Sequence, residues 1–337
     1  LLYHGENINR RNNEGNTVLM SAIISEHPDI AKLLIHKGVS VNHLNKEGIS
    51  AIKLAIKNSI ASSLKHLYMN NSRYNNLINL LLSKGAKPKL QFENAESPLF
   101  AAAHRGDTAA VTELLRCSAD PNIQNDMGNT PLLIAAHRGD TAVVTELLRC
   151  SADPNIQNDN GWTPLWGAAH LGHTAVITEL LKCSADPNIQ SNNGWTPLYW
   201  AADRGDTEAI TELLRRNADP NIQDNNGWTP LFVAARGDTE AVTELLRRNV
   251  DPNIQSYYGW TPLFVAAQLG HAKVVTELLK CNADPNIQDN KGKTPLYYNN
   301  LHTPRHYGQS PYYLAQLQNR SAIVSLLEAA MLEQADD

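Results

Sequence analysis

The sequence predicts an all-α fold, a solenoid of stacked helix pairs joined by extended fingers, and three observations carry that reading. Thr-Pro-Leu recurs at 130–132, 163–165, 196–198, 229–231, 261–263 and 294–296, in steps of 33, 33, 33, 32 and 33 residues. Asp-Pro-Asn-Ile-Gln recurs in phase, at 120–124, 153–157, 186–190, 219–223, 251–255 and 284–288. At 337 residues the chain also exceeds the roughly 250–300 residues at which a single core stops growing. Whole blocks repeating at a fixed period mark units that bury their apolar faces only against one another.

Residues 128–157 show how one unit is encoded. Gly128 suits a turn that needs an unusual φ. Thr130 is placed to cap a first helix, and Pro131 sits at its first position, where a missing N–H costs nothing. Ala135 and Ala136 are small, so neighbouring helices can approach closely. Gly139 breaks the helix, and Asp140 or Thr141 caps a second one. Val143, Val144, Leu147 and Leu148 form its buried stripe. Glu146 and Arg149 make an outward i,i+3 pair, worth about 0.2–0.5 kcal/mol. Asp153-Pro154-Asn155 then starts the finger of the next unit.

A period of 33 with T-P-L-x-x-A-A resembles the ankyrin-repeat family over essentially the whole chain. The resemblance implies β-hairpin-like fingers and a glycine after each second helix. Gly38 and Gly85 hold that corner first; Ser118, Ser151 and Ser184 follow, then Asn217, Asn249 and Asn282. Asn tolerates a left-handed backbone better than Ser, so the Ser corners are expected to carry strain. The position after Thr-Pro-Leu, commonly His in the family, holds Phe100, Leu133, Trp166, Tyr199, Phe232, Phe264 and Tyr297. That departure reads as packing at the junction of finger and helix.

The expected organisation is one ankyrin-repeat domain over 1–337. Residues 1–11 are the tail of a partial repeat. Residues 12–91 are two diverged repeats, the second 14 residues too long near 59–72. Residues 92–288 are six regular repeats, one of them short by a residue at Ala234-Ala235-Arg236-Gly237. Residues 289–337 form an interrupted C-terminal capping repeat, restarting at Gly308-Gln309-Ser310-Pro311 and ending in a helix near 321–331. The chain opens on Leu1-Leu2-Tyr3-His4 without an initiator Met or a signal pattern, so it is expected to be a piece of something longer.

In the ankyrin family, partners usually lie on a concave side made by finger tips and first helices, which the resemblance implies here. The residue after the finger glycine is Trp162, Trp195, Trp228 and Trp260 in four successive units. The pairs before that glycine end in Tyr257-Tyr258. The inner-helix positions carry His137-Arg138, His170-Leu171, Asp203-Arg204, Arg236 and Gln268-Leu269. Four exposed Trp would suit an interface, where aromatic residues and Arg are enriched. The opposing reading has each indole packing flat on the next finger as glue between units.

A protein-binding module is therefore the leading expectation. A rigid spacer within a larger protein and a host-protein-binding module of a bacterial effector are the alternatives. A net charge of -5 argues against a nucleic-acid binder. No apolar run approaches the 18 residues of a membrane span. No nucleophile elbow, phosphate loop or H-E-x-x-H is present, so neither an enzyme, a small-molecule substrate nor a cofactor is expected. Arg-Gly-Asp at 105–107, 138–140, 204–206 and 236–238 is, in register, the turn between helices. Cys117, Cys150 and Cys183 fall one repeat apart. Helix axes about 8–10 Å apart exceed disulfide reach, so free thiols and a reducing, cytoplasmic setting are expected, or a host cytosol for an effector. His104, His137 and His170 are too spread to share a metal.

Overall fold

Each described finger is a tight loop, and the loop's first side chain shapes it. Asn125 Oδ1 accepts from the backbone N of Met127 at 3.0 Å and of Asn129 at 2.9 Å. Asp224 does the same for Asn226 and Trp228, both at 2.8 Å. These local bonds offer the backbone an alternative to helix or ladder. Gly161, Gly194, Gly227 and Gly259 turn with φ of 75–81°. A Cβ there would lie 2.7–2.8 Å from the backbone N of the following finger, so both the turn and the close approach demand glycine.

The computed structural model describes residues 7–65, 72–86, 97–116, 119–248, 250–297 and 311–333. Helices divide into two compact units, Leu1–Asp159 and Asn160–Asp337. In the first unit the pairs are α1 (Val18–Ile24) with α2 (Pro28–His36), α3 (Ala51–Lys65) with α4 (Ser72–Ser83), α5 (Pro98–Arg105) with α6 (Thr108–Arg116), and α7 (Pro131–Arg138) with α8 (Thr141–Arg149). In the second they are α9 (Pro164–Leu171) with α10 (Thr174–Lys182), α11 (Pro197–Asp203) with α12 (Thr207–Arg215), α13 (Pro230–Ala234) with α14 (Thr239–Leu246), and α15 (Pro262–Leu269) with α16 (Ala272–Lys280). A last helix, Pro311–Glu333, packs on α16 and buries Ile323 and Leu327. No strand forms among the described residues; two isolated antiparallel bridges join Arg11 to Thr17 and Leu44 to Ser50. Nor is any described helix long and apolar enough to cross a membrane.

First helices start as their sequences dictate. Thr130, Thr163, Thr196, Thr229 and Thr261 each accept from the backbone N three residues on, at 3.1–3.3 Å, with Pro next in line. Removing such a cap costs about 1 kcal/mol. Second helices are less uniform. Asp107, Asp206 and Asp238 cap through their carboxylates. Asp140 does not: its Oδ2 accepts from Arg138 Nε at 2.8 Å instead. The stripe of α8 buries Val143, Val144 and Leu147, leaving Leu148 half-buried.

Irregularities in the repeat change the lengths of described helices. The excess near 59–72 lengthens α3 to 15 residues, where other first helices have 5–8. The deleted residue shortens α13 to five. The last helix starts at Pro311, well before 321. Cys117, Ser118, Asn249, the start at 308–310, Leu1-Leu2 and the acidic tail lie outside the described residues.

The corners take the left-handed backbone that the resemblance implied: Ser151 has φ 64°, Ser184 65°, Asn217 63° and Asn282 63°. Glu26, at the turn between α1 and α2, joins them at 58°. A left-handed L-residue costs roughly 1–2 kcal/mol, less for Asn. Ser184→Gly and Glu26→Gly should each raise the urea midpoint, by on the order of 1 kcal/mol after glycine's greater unfolded freedom is subtracted. Asn217→Gly should move it least. An unchanged or lowered midpoint for Glu26→Gly would show that the corner is not strained.

Candidate functional site

Five successive units place an aromatic ring at the first turn of the inner helix, and the residue four earlier, just past the finger glycine, lies against it. Trp162 stacks on Trp166 with centroids 4.5 Å apart and planes at 6°. Trp195 meets Tyr199 at 5.9 Å and 26°. Trp228 and Phe232 stack at 5.4 Å and 12°, Trp260 and Phe264 at 5.1 Å and 15°. In the fifth, Lys293 Nζ sits 3.9 Å above the Tyr297 ring. Replacement of the expected His by an aromatic and the presence of Trp are thus one device. In the repeat of α7, Asn129 and Leu133 occupy these two places, without rings.

The four Trp are accordingly half-buried rather than exposed, and each lies on its own repeat's helix. Around α11 the rings merge into a cluster. Trp200 stands edge-on to Trp166 at 5.7 Å, His170 at 4.4 Å, Trp195 at 5.2 Å and Tyr199 at 5.8 Å. His170 in turn stacks on Trp166 at 5.0 Å. Edge-to-face pairs of this kind add about 0.5–1.5 kcal/mol beyond burial. Gly167 holds in α9 the place that Trp200 holds in α11, so no side chain there competes with the indole. Sequence reasoning missed Trp200; the Gly-to-Trp change at one repeat position was the available signal.

The remaining expected contact residues fall on both units. His137 and Arg138 are exposed on the first, where Arg138 is committed to Asp140. On the second, Asp203 and Arg204 are exposed. Asp203 pairs with Arg236 at 3.7 Å, and Arg204 Nη1 donates to the His170 carbonyl at 3.4 Å. Gln268 is half-buried. Tyr257 and Tyr258 are exposed, at 68% and 62%. Leu269, at the end of the inner helix of the same repeat, is 47% exposed.

The family described as ankyrin repeats (3 copies) matches residues 1–76, 66–148, 132–224 and 201–289. The chain belongs to the ankyrin-repeat family. Ankyrin repeats are generally protein–protein interaction modules and binding scaffolds. Among solved structures, the ankyrin repeat domain of Bcl-3, "a unique member of the IkappaB protein family", is 25% identical, with a TM-score of 0.57. That likeness covers 67% of this chain and 100% of that one. The human ASB11 ankyrin repeat domain is 26% identical, with a TM-score of 0.55, over 66% of this chain and 98% of that one. No curated protein matches the sequence significantly.

Indole N–H groups behave differently along the row. Trp195 Nε1 donates to Asp224 Oδ2 of the next finger at 3.2 Å. Trp228 Nε1 is buried and finds no acceptor. The residue in Asp224's place one repeat on is Ser256, whose Oγ accepts from the Trp260 backbone N at 3.2 Å. An Asp could serve both donors, as Asp224 does. Ser256→Asp should therefore stabilise the chain by about 1 kcal/mol, the scale of an unmet buried donor; a lower urea midpoint would contradict this.

Burial pushes the Tyr199 phenol far above its usual value of 10.0, and the Asp224 and Asp203 carboxylates push the same way. The unfolded chain then releases this proton first. Its contribution to stability is whole below about pH 10 and falls as pH rises further. Comparing urea midpoints at about pH 8 and about pH 11, Tyr199→Phe should lose less stability than the parent. An equal loss would place the alkaline sensitivity elsewhere.

Proposed function

We propose that the second unit binds a partner protein along its finger tips and inner helices, with the repeat at 256–283 as its centre. One observation carries this. Both contact places of that repeat, the pair before the finger glycine and the end of the inner helix, hold exposed apolar side chains: Tyr257, Tyr258 and Leu269. The corresponding finger pairs are Asn192-Asn193 and Asn225-Asn226. Tyr258 lies 6.1 Å from Trp260, so the tip continues into the row of half-buried rings.

Trp162, Trp195, Trp228 and Trp260 contribute their remaining open edges, with Arg204, Asp203, His170 and Gln268 flanking. His137 and Arg138 belong to the other unit. Tyr loses little entropy when held, and buried aromatics dominate interface energies. No catalytic role is assigned to any of these residues.

Affinity capture with the whole chain, followed by mass spectrometry, should return a specific partner. Tyr257→Ala with Tyr258→Ala should weaken it roughly tenfold or more, the scale of a hot-spot loss, with the melting curve nearly unchanged. Trp195→Ala should instead lower the melting temperature, because it removes a stack, an edge contact and the bond to Asp224. A partner bound equally well by the Tyr double variant would refute the assignment.

A further inference from the structure

Asn-Gly stands at three successive finger tips, 160–161, 193–194 and 226–227. This dipeptide is prone to cyclise, because glycine has no side chain to hinder attack by its backbone N on the Asn amide carbon. For the attack, the Gly nitrogen must lose its proton, leave its hydrogen bond and swing toward Cγ. The closed tip prevents all three. Gly194 and Gly227 are buried, and their N–H groups donate to the Ser191 and Asp224 carbonyls at 2.8 and 2.9 Å, the i to i+3 bond of a tight turn. Neither glycine can be exchanged. Their φ values are 81° and 78°, and a Cβ would lie 2.7 and 2.8 Å from the backbone N of Asn225 and Tyr257. The fold therefore fixes the Gly half of the dipeptide. The Asn half is exposed and varies: Met127 and Tyr258 stand there in other repeats.

We propose that Asn193-Gly194 and Asn226-Gly227 are self-modification sites gated by opening of the finger tip, with Asn193 reacting first. When a tip opens, the Gly N gives its proton to solvent base and bonds to Asn Cγ. The Cγ–Nδ2 bond breaks, ammonia leaves and a succinimide remains. Water then opens the ring at either carbonyl, giving Asp or isoaspartate, with no oxidant or cofactor consumed. The order follows from the first side chain of each loop. Asp224 Oδ1 clamps its tip by accepting from the backbone N of Asn226 and Trp228, both at 2.8 Å, and Asn226 Nδ2 donates to Asp224 Oδ2 at 3.4 Å. Ser191 Oγ, an uncharged acceptor, takes the Trp195 backbone N–H at 3.2 Å, a weaker hold than a carboxylate gives. The isoaspartate product breaks the link between fingers. Its chain runs through Cγ, one methylene longer, and the former backbone carbonyl becomes a free carboxylate. That carbonyl is the acceptor for the next tip: Asn193 O for Asn225 N at 3.1 Å, Asn226 O for Tyr257 N at 3.0 Å. The Asp product keeps the backbone.

This chemistry is independent of the Tyr257–Tyr258 contact. The test incubates the whole chain in mildly alkaline buffer, with and without urea, and separates Asn, Asp and isoaspartate by peptide mapping. The local sequence Asn-Asn-Gly-Trp is the same at both sites, so in urea they should react at similar rates. In native buffer Asn193 should react about tenfold or more slowly than in urea, and Asn226 more slowly again. Ser191→Asp should bring Asn193 down toward the rate at Asn226 in native buffer and leave its rate in urea unchanged. Chain carrying isoaspartate at 193 should show a lower urea midpoint, whereas Asn193→Asp should keep the parent value. Equal rates at Asn193 with and without urea would remove the gate. Faster reaction at Asn226 than at Asn193 in native buffer would refute the order, and absence of isoaspartate at both sites in urea would overturn the whole.

Discussion

The amide side chains of the fingers satisfy hydrogen bonds that the finger backbone cannot satisfy alone. Gln190 Nε2 donates to the Gly194 carbonyl at 2.9 Å and, one finger on, to the Gln223 carbonyl at 3.0 Å. Gln223 and Gln255 repeat the pattern toward Gln255 and Gln288. Asn188 and Asn253 reach the carbonyls of Asn217 and Asn282 with their N–H groups, while their oxygens accept from Asp219 and Asp284. A finger has no sheet partner, so its polar backbone groups need such partners or water. This explains why Asp-Pro-Asn-Ile-Gln recurs unchanged. Glu in place of Gln would have no N–H to give, and one missing bond would loosen two fingers.

In a frame held in this way the tips are linked chiefly through their backbones. Direct backbone bonds already link one tip to the next: Asn192 N to the Asn160 carbonyl, Asn225 N to Asn193, Tyr257 N to Asn226 and Asn290 N to Tyr258, at 3.0–3.1 Å. Where the first tip residue is Asn its side chain adds a second link: Asn225 Nδ2 donates to the Asn192 carbonyl at 2.9 Å and Asn290 Nδ2 to the Tyr257 carbonyl at 2.8 Å. Tyr257 keeps the backbone bond and gives up that side-chain bond, so one repeat can carry an aromatic tip while its neighbours carry amides. Surface identity then changes without a change in stacking.

Much of the frame was legible because it depends on short-range rules. The Thr-Pro helix starts, the Ala-Ala approach and the left-handed corners at Ser151, Ser184, Asn217 and Asn282 all follow from residue type and phase. The aromatic shelf was not legible in the same way. Trp162 and Trp166 are four apart, but the first lies in the finger and the second in the helix, so helical periodicity does not relate them. The cap expected at Asp140 failed for a different reason. Arg138 lies two residues away and takes the carboxylate, whereas Asp206 and Asp238 keep theirs for the helix. Length changes were seen in the sequence but not their resolution: extra residues after Ile56 fit a helical pattern and prolong α3, while the loss near Arg236 had no loop to shorten and cut α13.

The half-burial of the indoles also bears on how stability and the proposed recognition divide between the rings. A ring already stacked on its own helix has lost most of its wettable area, so a partner covering it gains only the remainder, at about 25 cal/mol per Å². Tyr257 and Tyr258 have more area left to lose and no stack to break. The Trp row therefore contributes mainly to the fold, and in the proposed contact its open edges would add breadth to what the tyrosines anchor. Exchanging the tip pair would redirect binding while leaving the shelf intact; exchanging a Trp would weaken the shelf before it changed the partner.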